Sequence, residues 1–234
     1  MPFQTHLRIL PSAQRTAWPH LGPSRKLGFC LYGGTALALR FAHRKSVDFD
    51  FFSDLPLDKG ALLRAMPLLK RGTVLQEAPN TLVLLVPARR GRGGEVKLSF
   101  FGGLDFGRVG RPELTDDGVL QVASTRDLLA TKLKVLFDRV EAKDYVDIHE
   151  LLRHRLELAQ GLSDARALYP QFPVMDCLKT LAWFGTKELA SLRPECKKAL
   201  ARAAADALMV KRLPPSLVCE RSLGLTPDEE AEDR

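Results

Sequence analysis

The strongest constraint on the fold is the stretch Ser46 to Phe52, SVDFDFF, which sets two carboxylates into an otherwise apolar strand. Burying an unpaired carboxylate costs more than one strand's packing returns, so these acids need a partner or a function. Strand side chains alternate between faces: Val47, Phe49 and Phe51 are expected on one, and Asp48 and Asp50 together on the other. Same-face neighbours stand roughly 6.5–7 Å apart along a strand. One hard cation such as Mg²⁺ can bridge or chelate two carboxylates at that spacing.

Upstream, LGFCLYGG reads as a short apolar strand that ends at Gly33 and Gly34, and TALALRFAH continues as a helix. A glycine turn opening a helix presents N–H donors to an anion, and Thr35 adds a hydroxyl near the cap. The unit is therefore strand, glycine turn, helix, and a strand bearing Asp-x-Asp. It fits phosphate beside metal.

Gly33-Gly34, thirteen intervening residues and then Asp48-Phe49-Asp50 resemble the signature of the DNA-polymerase-β-like nucleotidyltransferases. GGTALAL, RKSVDFDFF, DLLATKLKVLFDR and AKDYVDIHELL follow one another in the order of the AbiEii/AbiGii toxin family, and the chain resembles that family over about residues 27 to 155. The resemblance implies an α+β fold: a mixed or antiparallel sheet flanked by helices, then a helical C-terminal part. It further implies a Mg²⁺-dependent nucleotidyltransferase that moves an NMP from an NTP to an acceptor, the 3′ end of tRNA, as the toxin-like component of a toxin–antitoxin pair. Transfer to a small molecule or protein is an alternative, as is a non-catalytic member that only binds nucleotide or protein.

In the implied site Asp48 and Asp50 hold the metal, while Gly33, Gly34 and Thr35 hold the phosphates, with Ser46 supporting the nucleotide at the strand's entrance. In STRDLLATKLKVLFDR, Lys132 falls within the apolar stripe of Leu128, Leu129 and Leu136. It either snorkels to the rim of the core or meets the triphosphate; the resemblance favours the second, with Lys132 on the departing pyrophosphate. In AKDYVDIHELL, acids at the first turns of a helix are favourable for dipole reasons alone. The resemblance assigns Asp147 to the active site and Asp144 to orienting a neighbour, and Lys143 joins the nucleotide-binding set. Arg139 either binds phosphate or pairs with these acids.

Nucleotidyltransferases of this superfamily usually add a third carboxylate from a neighbouring strand. Here that strand is EVKLSFF, and the position aligned with the third acid is Ser99. A serine neither carries the charge nor serves as a comparable base. Asp147 compensates, Glu95 reaches in from the strand's start, or nucleotide is bound without transfer.

The expected organisation is a lead-in over 1–26, an α/β core over 27–123, a helical part over 124–212, and a tail over 213–234 that is acidic and disordered at its end. The expected core has antiparallel strands, TLVLLVP and EVKLSFF among them, with helices on one face. Arg89, Arg90 and Arg92 lie on a hairpin tip and either meet RNA phosphates or protect a sheet edge. Trp18 and Trp183 are expected in the core. The net charge of +7 suits a polyanionic partner such as a nucleotide or RNA. The four cysteines show neither zinc spacing nor a disulfide framework, and no apolar run is long enough to span a bilayer. A cytoplasmic protein is expected.

Overall fold

A computed structural model describes residues 3–88 and 94–232. The arginine tip at Arg89, Arg90 and Arg92 lies outside them. The chain forms two compact units, Met1–Ser124 with Glu220–Arg234, and Thr125–Cys219.

The first unit is built on the strands β1 (Cys30–Tyr32), β2 (Asp48–Phe52), β3 (Thr73–Ala78), β4 (Thr81–Pro87), β5 (Glu95–Phe101), β6 (Glu113–Leu114) and β7 (Gln121–Val122). They form one sheet in the order β3-β4-β5-β2-β1-β7-β6. Helices α1 (Ser12–Ala17), α2 (Pro23–Lys26), α3 (Gly33–Phe41) and α4 (Lys59–Ala65) accompany it. The sheet is mixed, not purely antiparallel: β2 runs parallel to β5, and β1 parallel to β7. The β4–β5 hairpin reverses the chain, so that β5 lies beside β2 in the same direction.

The alternation in β2 has the predicted consequence. Phe49 and Phe51 are fully buried; Phe51 stacks on Phe100 at 5.0 Å between centroids, and Trp18 packs against Phe49 at 6.2 Å. Asp48 and Asp50 occupy the opposite, partly exposed face. Val47 precedes the strand and is exposed. Past Asp50 the acidic face closes over an aromatic wall, where Phe52 stacks on Tyr32 at 4.8 Å and meets Phe101 edge-on at 5.5 Å. Strand β3 was not expected from sequence, and the reason is physical. Its residues are nearly all exposed, so backbone pairing to β4 holds it without any burial pattern.

The second unit is helical, with α5 (Thr125–Val135), α6 (Ala142–Arg153), α7 (Leu158–Leu168), α8 (Val174–Ala182) and α9 (Pro194–Leu208). Prolines punctuate it as expected. Pro170 follows the end of α7, Pro173 is the N-cap of α8, and Pro194 opens α9, where a missing N–H costs nothing. A fork from Arg126 grips the buried Asp164 at 2.9 and 2.5 Å, and Ser216 Oγ joins at 2.6 Å, which fastens the stretch after α9 to α5 and α7. Trp183 does not enter the core as expected: it follows the last turn of α8 and is 62% exposed.

The C-terminal stretch also departs from expectation. Residues 220–232 are ordered on the first unit and end in a short helix, Pro227–Glu232. Leu223 is fully buried, its N–H bonds Asp54 Oδ1 at 3.0 Å, and Leu225 N–H bonds Gln121 Oε1 at 2.8 Å. Arg108, itself buried, meets Glu229 at 2.6 Å. An acidic run that supplies the partner of a buried guanidinium is no longer a solvated tail. None of the four cysteines forms a disulfide, and no described helix is long and apolar enough to cross a membrane.

Candidate active site

In the first unit, β1 and β2 pair antiparallel with Tyr32 opposite Asp50, and α3 begins at the next residue. The helix start therefore lies over the Asp50 carboxylate. Gly33 has φ +74°, and a Cβ there would lie 2.7 Å from Asp50 Oδ2. Glycine is required twice, for backbone conformation and for the approach. A Cβ on Gly34 would collide with the Arg44 guanidinium and lie 3.2 Å from Ser46 Oγ. The first turn of α3 has no side-chain cap. Its glycine turn is thus flanked by a carboxylate, a guanidinium and a hydroxyl.

Thr35 is buried and does not face outward. Its Oγ1 bonds the Asp48 carbonyl and lies 2.8 Å from Ser46 Oγ. A carbonyl only accepts, so the single Thr35 proton goes to Asp48, and Ser46 must donate in the other bond. Thr35 thereby straps the start of α3 to the start of β2 and sets the height of the glycine turn over the acids.

Along β5, Lys97 stands in register with Asp48 and Ser99 with Asp50. Ser99 is buried, and Lys97 Nζ lies 3.9 Å from Asp48 Oδ2. No carboxylate of β5 stands in register with either acid. Glu95 is two residues before Lys97, so its level is roughly 7 Å beyond that of Asp48 and 13 Å beyond that of Asp50. Among the described residues no three His, Cys, Asp or Glu side chains are grouped to hold a metal ion. The donor set of this face is the two aspartates.

In the second unit, Lys132 neither snorkels nor stands alone. Its Nζ lies 2.6 Å from Asp144 Oδ1 and 2.7 Å from Asp147 Oδ2, with the lysine side chain 6% exposed and both aspartates fully buried. Arg139 Nε donates to Asp144 Oδ2 at 2.9 Å. Burial pushes the Asp144 carboxyl up, but the Arg139 hydrogen bond and the Lys132 charge outweigh it and hold the group below the ordinary carboxylate range. Asp144 thus pairs with both Lys132 and Arg139. Lys143 is half exposed and meets Glu141 Oε2 at 2.6 Å.

Arg44 escapes the sequence reading. The available signal was a basic residue two positions before Ser46, on the segment leading into the acidic strand.

A family model described as nucleotidyl transferase AbiEii toxin, type IV toxin–antitoxin system, matches residues 24–215. The chain belongs to the AbiEii nucleotidyltransferase toxin family. An uncharacterized protein of Aquifex aeolicus (strain VF5) is 30% identical over 185 residues, covering 76% of this chain and 84% of the relative. The fold is similar to those of two solved structures. A provisionally assigned nucleotidyltransferase of H. pylori superposes with a TM-score of 0.56 at 21% identity, covering 83% of this chain and 92% of the other. MenT4, a nucleotidyltransferase toxin of Mycobacterium tuberculosis H37Rv, superposes with a TM-score of 0.57 at 14% identity, covering 94% of this chain and 87% of the other.

Two outcomes follow, one from each unit. Gly33→Ala places a Cβ on Asp50 at positive φ and should cost about 1–2 kcal/mol in urea unfolding; a change within about 0.5 kcal/mol would mean that the turn relaxes freely. The Asp144 carboxyl is lowered, so its contribution to stability is complete above the ordinary carboxylate pKa and is lost as pH falls through the lowered value. The helical unit's circular dichroism melt should therefore hold steady from about pH 7 to pH 5 and fall below about pH 4. In the Asp144→Asn variant that acid loss should shrink, and an unchanged loss would assign it to other groups.

Proposed function

We propose that the protein transfers an NMP from an NTP to the 3′ end of tRNA, as a toxin held in check by a cognate antitoxin. The observation that carries this reading is the placement of the Gly33 turn directly on Asp50, with Asp48 on the same strand face. A phosphate taken up at such a turn lies beside both carboxylates. Gly33 and Gly34 supply backbone donors and Arg44 a charged fork; Thr35 and Ser46, whose one proton goes to Thr35, position the turn and do not touch the nucleotide. Arg44 takes this role because it stands beside the Gly34 turn, and Lys143 pairs with Glu141 in the helical unit.

The residues fit Mg²⁺. That ion binds through one or two carboxylates, keeps several waters and takes substrate phosphate oxygens, which matches Asp48 and Asp50 without a third acid. When bound, it neutralises phosphate charge and orients the reacting oxygens. Within the helical unit, two of the three N–H donors of Lys132 are taken by Asp144 and Asp147, which fixes its ammonium. The net charge of +7 supports a polyanionic acceptor. Ser99 in register with Asp50 favours a second reading, nucleotide binding without transfer.

The test is incubation with Mg²⁺, each NTP radiolabelled at the α-phosphorus, and total tRNA. Label should enter tRNA from at least one NTP and fall by roughly 10³-fold in Asp48→Asn/Asp50→Asn. Label on protein or on a small molecule would replace the acceptor. Nucleotide binding with no transfer to any acceptor would establish the second reading.

A further inference from the structure

Nucleotidyl transfer as proposed leaves one side chain of the acidic face unused. Lys97 stands in register with Asp48, on the same face and one strand over. Its ammonium lies 3.9 Å from Asp48 Oδ2, with Lys97 41% and Asp48 36% exposed. Charge-assisted N–H···O bonds close to about 2.7–2.9 Å. This pair is a loose, wet contact that neither partner locks. Lys132 is the contrast within the same chain, at 2.6 and 2.7 Å and 6% exposed. One lysine is fixed in a cage, and the other is tethered beside an acid it can leave.

A carboxylate carries one negative charge, so a divalent ion bound to Asp48 weakens the hold on the Lys97 ammonium. A divalent ion that takes Asp48 repels the ammonium, which stays within reach of the face on its four-carbon stem. An NTP delivers several negative oxygens to that face. We propose that Lys97 is an exchangeable counter-ion: it neutralises Asp48 when no nucleotide is bound and moves onto an NTP phosphate oxygen when the metal–nucleotide complex takes Asp48. It thereby brings to the metal face the positive charge that a second metal, held by a third carboxylate, would otherwise supply. The inference rests on Asp48 and Asp50 being the metal–nucleotide site.

Mn²⁺ binding to the full chain, followed by electron paramagnetic resonance with and without a non-hydrolysable α,β-methylene NTP analogue, separates the two claims. Circular dichroism melts serve as the folding control. Lys97→Met should tighten Mn²⁺ binding alone by roughly fivefold, because a competing cation is gone, and should weaken the analogue at saturating Mn²⁺ by about tenfold. Lys97→Arg should stay within about twofold of the parent on both. If Lys97→Met leaves either affinity unchanged, or weakens Mn²⁺ alone, the exchange is overturned. Mn²⁺ retained at parental affinity by Asp48→Asn/Asp50→Asn would overturn the underlying site, whatever Lys97→Met does.

Discussion

The closeness of the Asp50 carboxylate to position 33, which leaves no room for a Cβ, is the constraint on which the rest of the first unit depends. It exists because β1 and β2 pair with Tyr32 opposite Asp50, so the residue that starts α3 emerges over the acid. Any side chain at position 33 would occupy the carboxylate's own space. The bond from Thr35 to the Asp48 carbonyl and the Ser46 contact fix the same junction from the other side. Below the acids, the stack of Trp18, Phe49, Phe51 and Phe100 anchors β2, so the charged face sits on a rigid aromatic floor. A loop could not hold two carboxylates and a helix start in such register.

The two units handle charge in opposite ways. In the first, the acids are partly exposed, and the basic groups near them, Arg44 and Lys97, flank the face without burying it. Such groups can change partners cheaply when an anion or a cation arrives. In the second, Lys132, Asp144 and Asp147 are buried together, and Arg139 completes the balance. A buried cluster is costly to open, because removing one member leaves the others uncompensated. It therefore fixes the ammonium's position within the helical unit.

Much of this was legible in the sequence, for physical reasons. The alternation of SVDFDFF fixes the faces of β2, and TLVLLVP and EVKLSFF coincide with β4 and β5 because both strands bury apolar residues. Lys132 could be singled out because a lysine interrupts an apolar stripe. Other features were hidden. Strand β3 buries almost nothing, β6 and β7 are two residues long, and the parallel pairing of β2 with β5 arises from a crossover that local periodicity cannot report. The order of the C-terminal stretch depends on Arg108, more than a hundred residues earlier than Glu229 in the chain. Arg44 and Lys97 read as ordinary surface charges until the register sets one over Gly34 and the other beside Asp48.

The most direct test of the account is a crystal structure with Mn²⁺ and a non-hydrolysable NTP, with the metal located by anomalous scattering. The account predicts a peak between the Asp48 and Asp50 carboxylates, with the nucleotide's phosphates on the Gly33-Gly34 turn. Nucleotide bound away from that turn, or a metal peak that does not touch both aspartates, would contradict it.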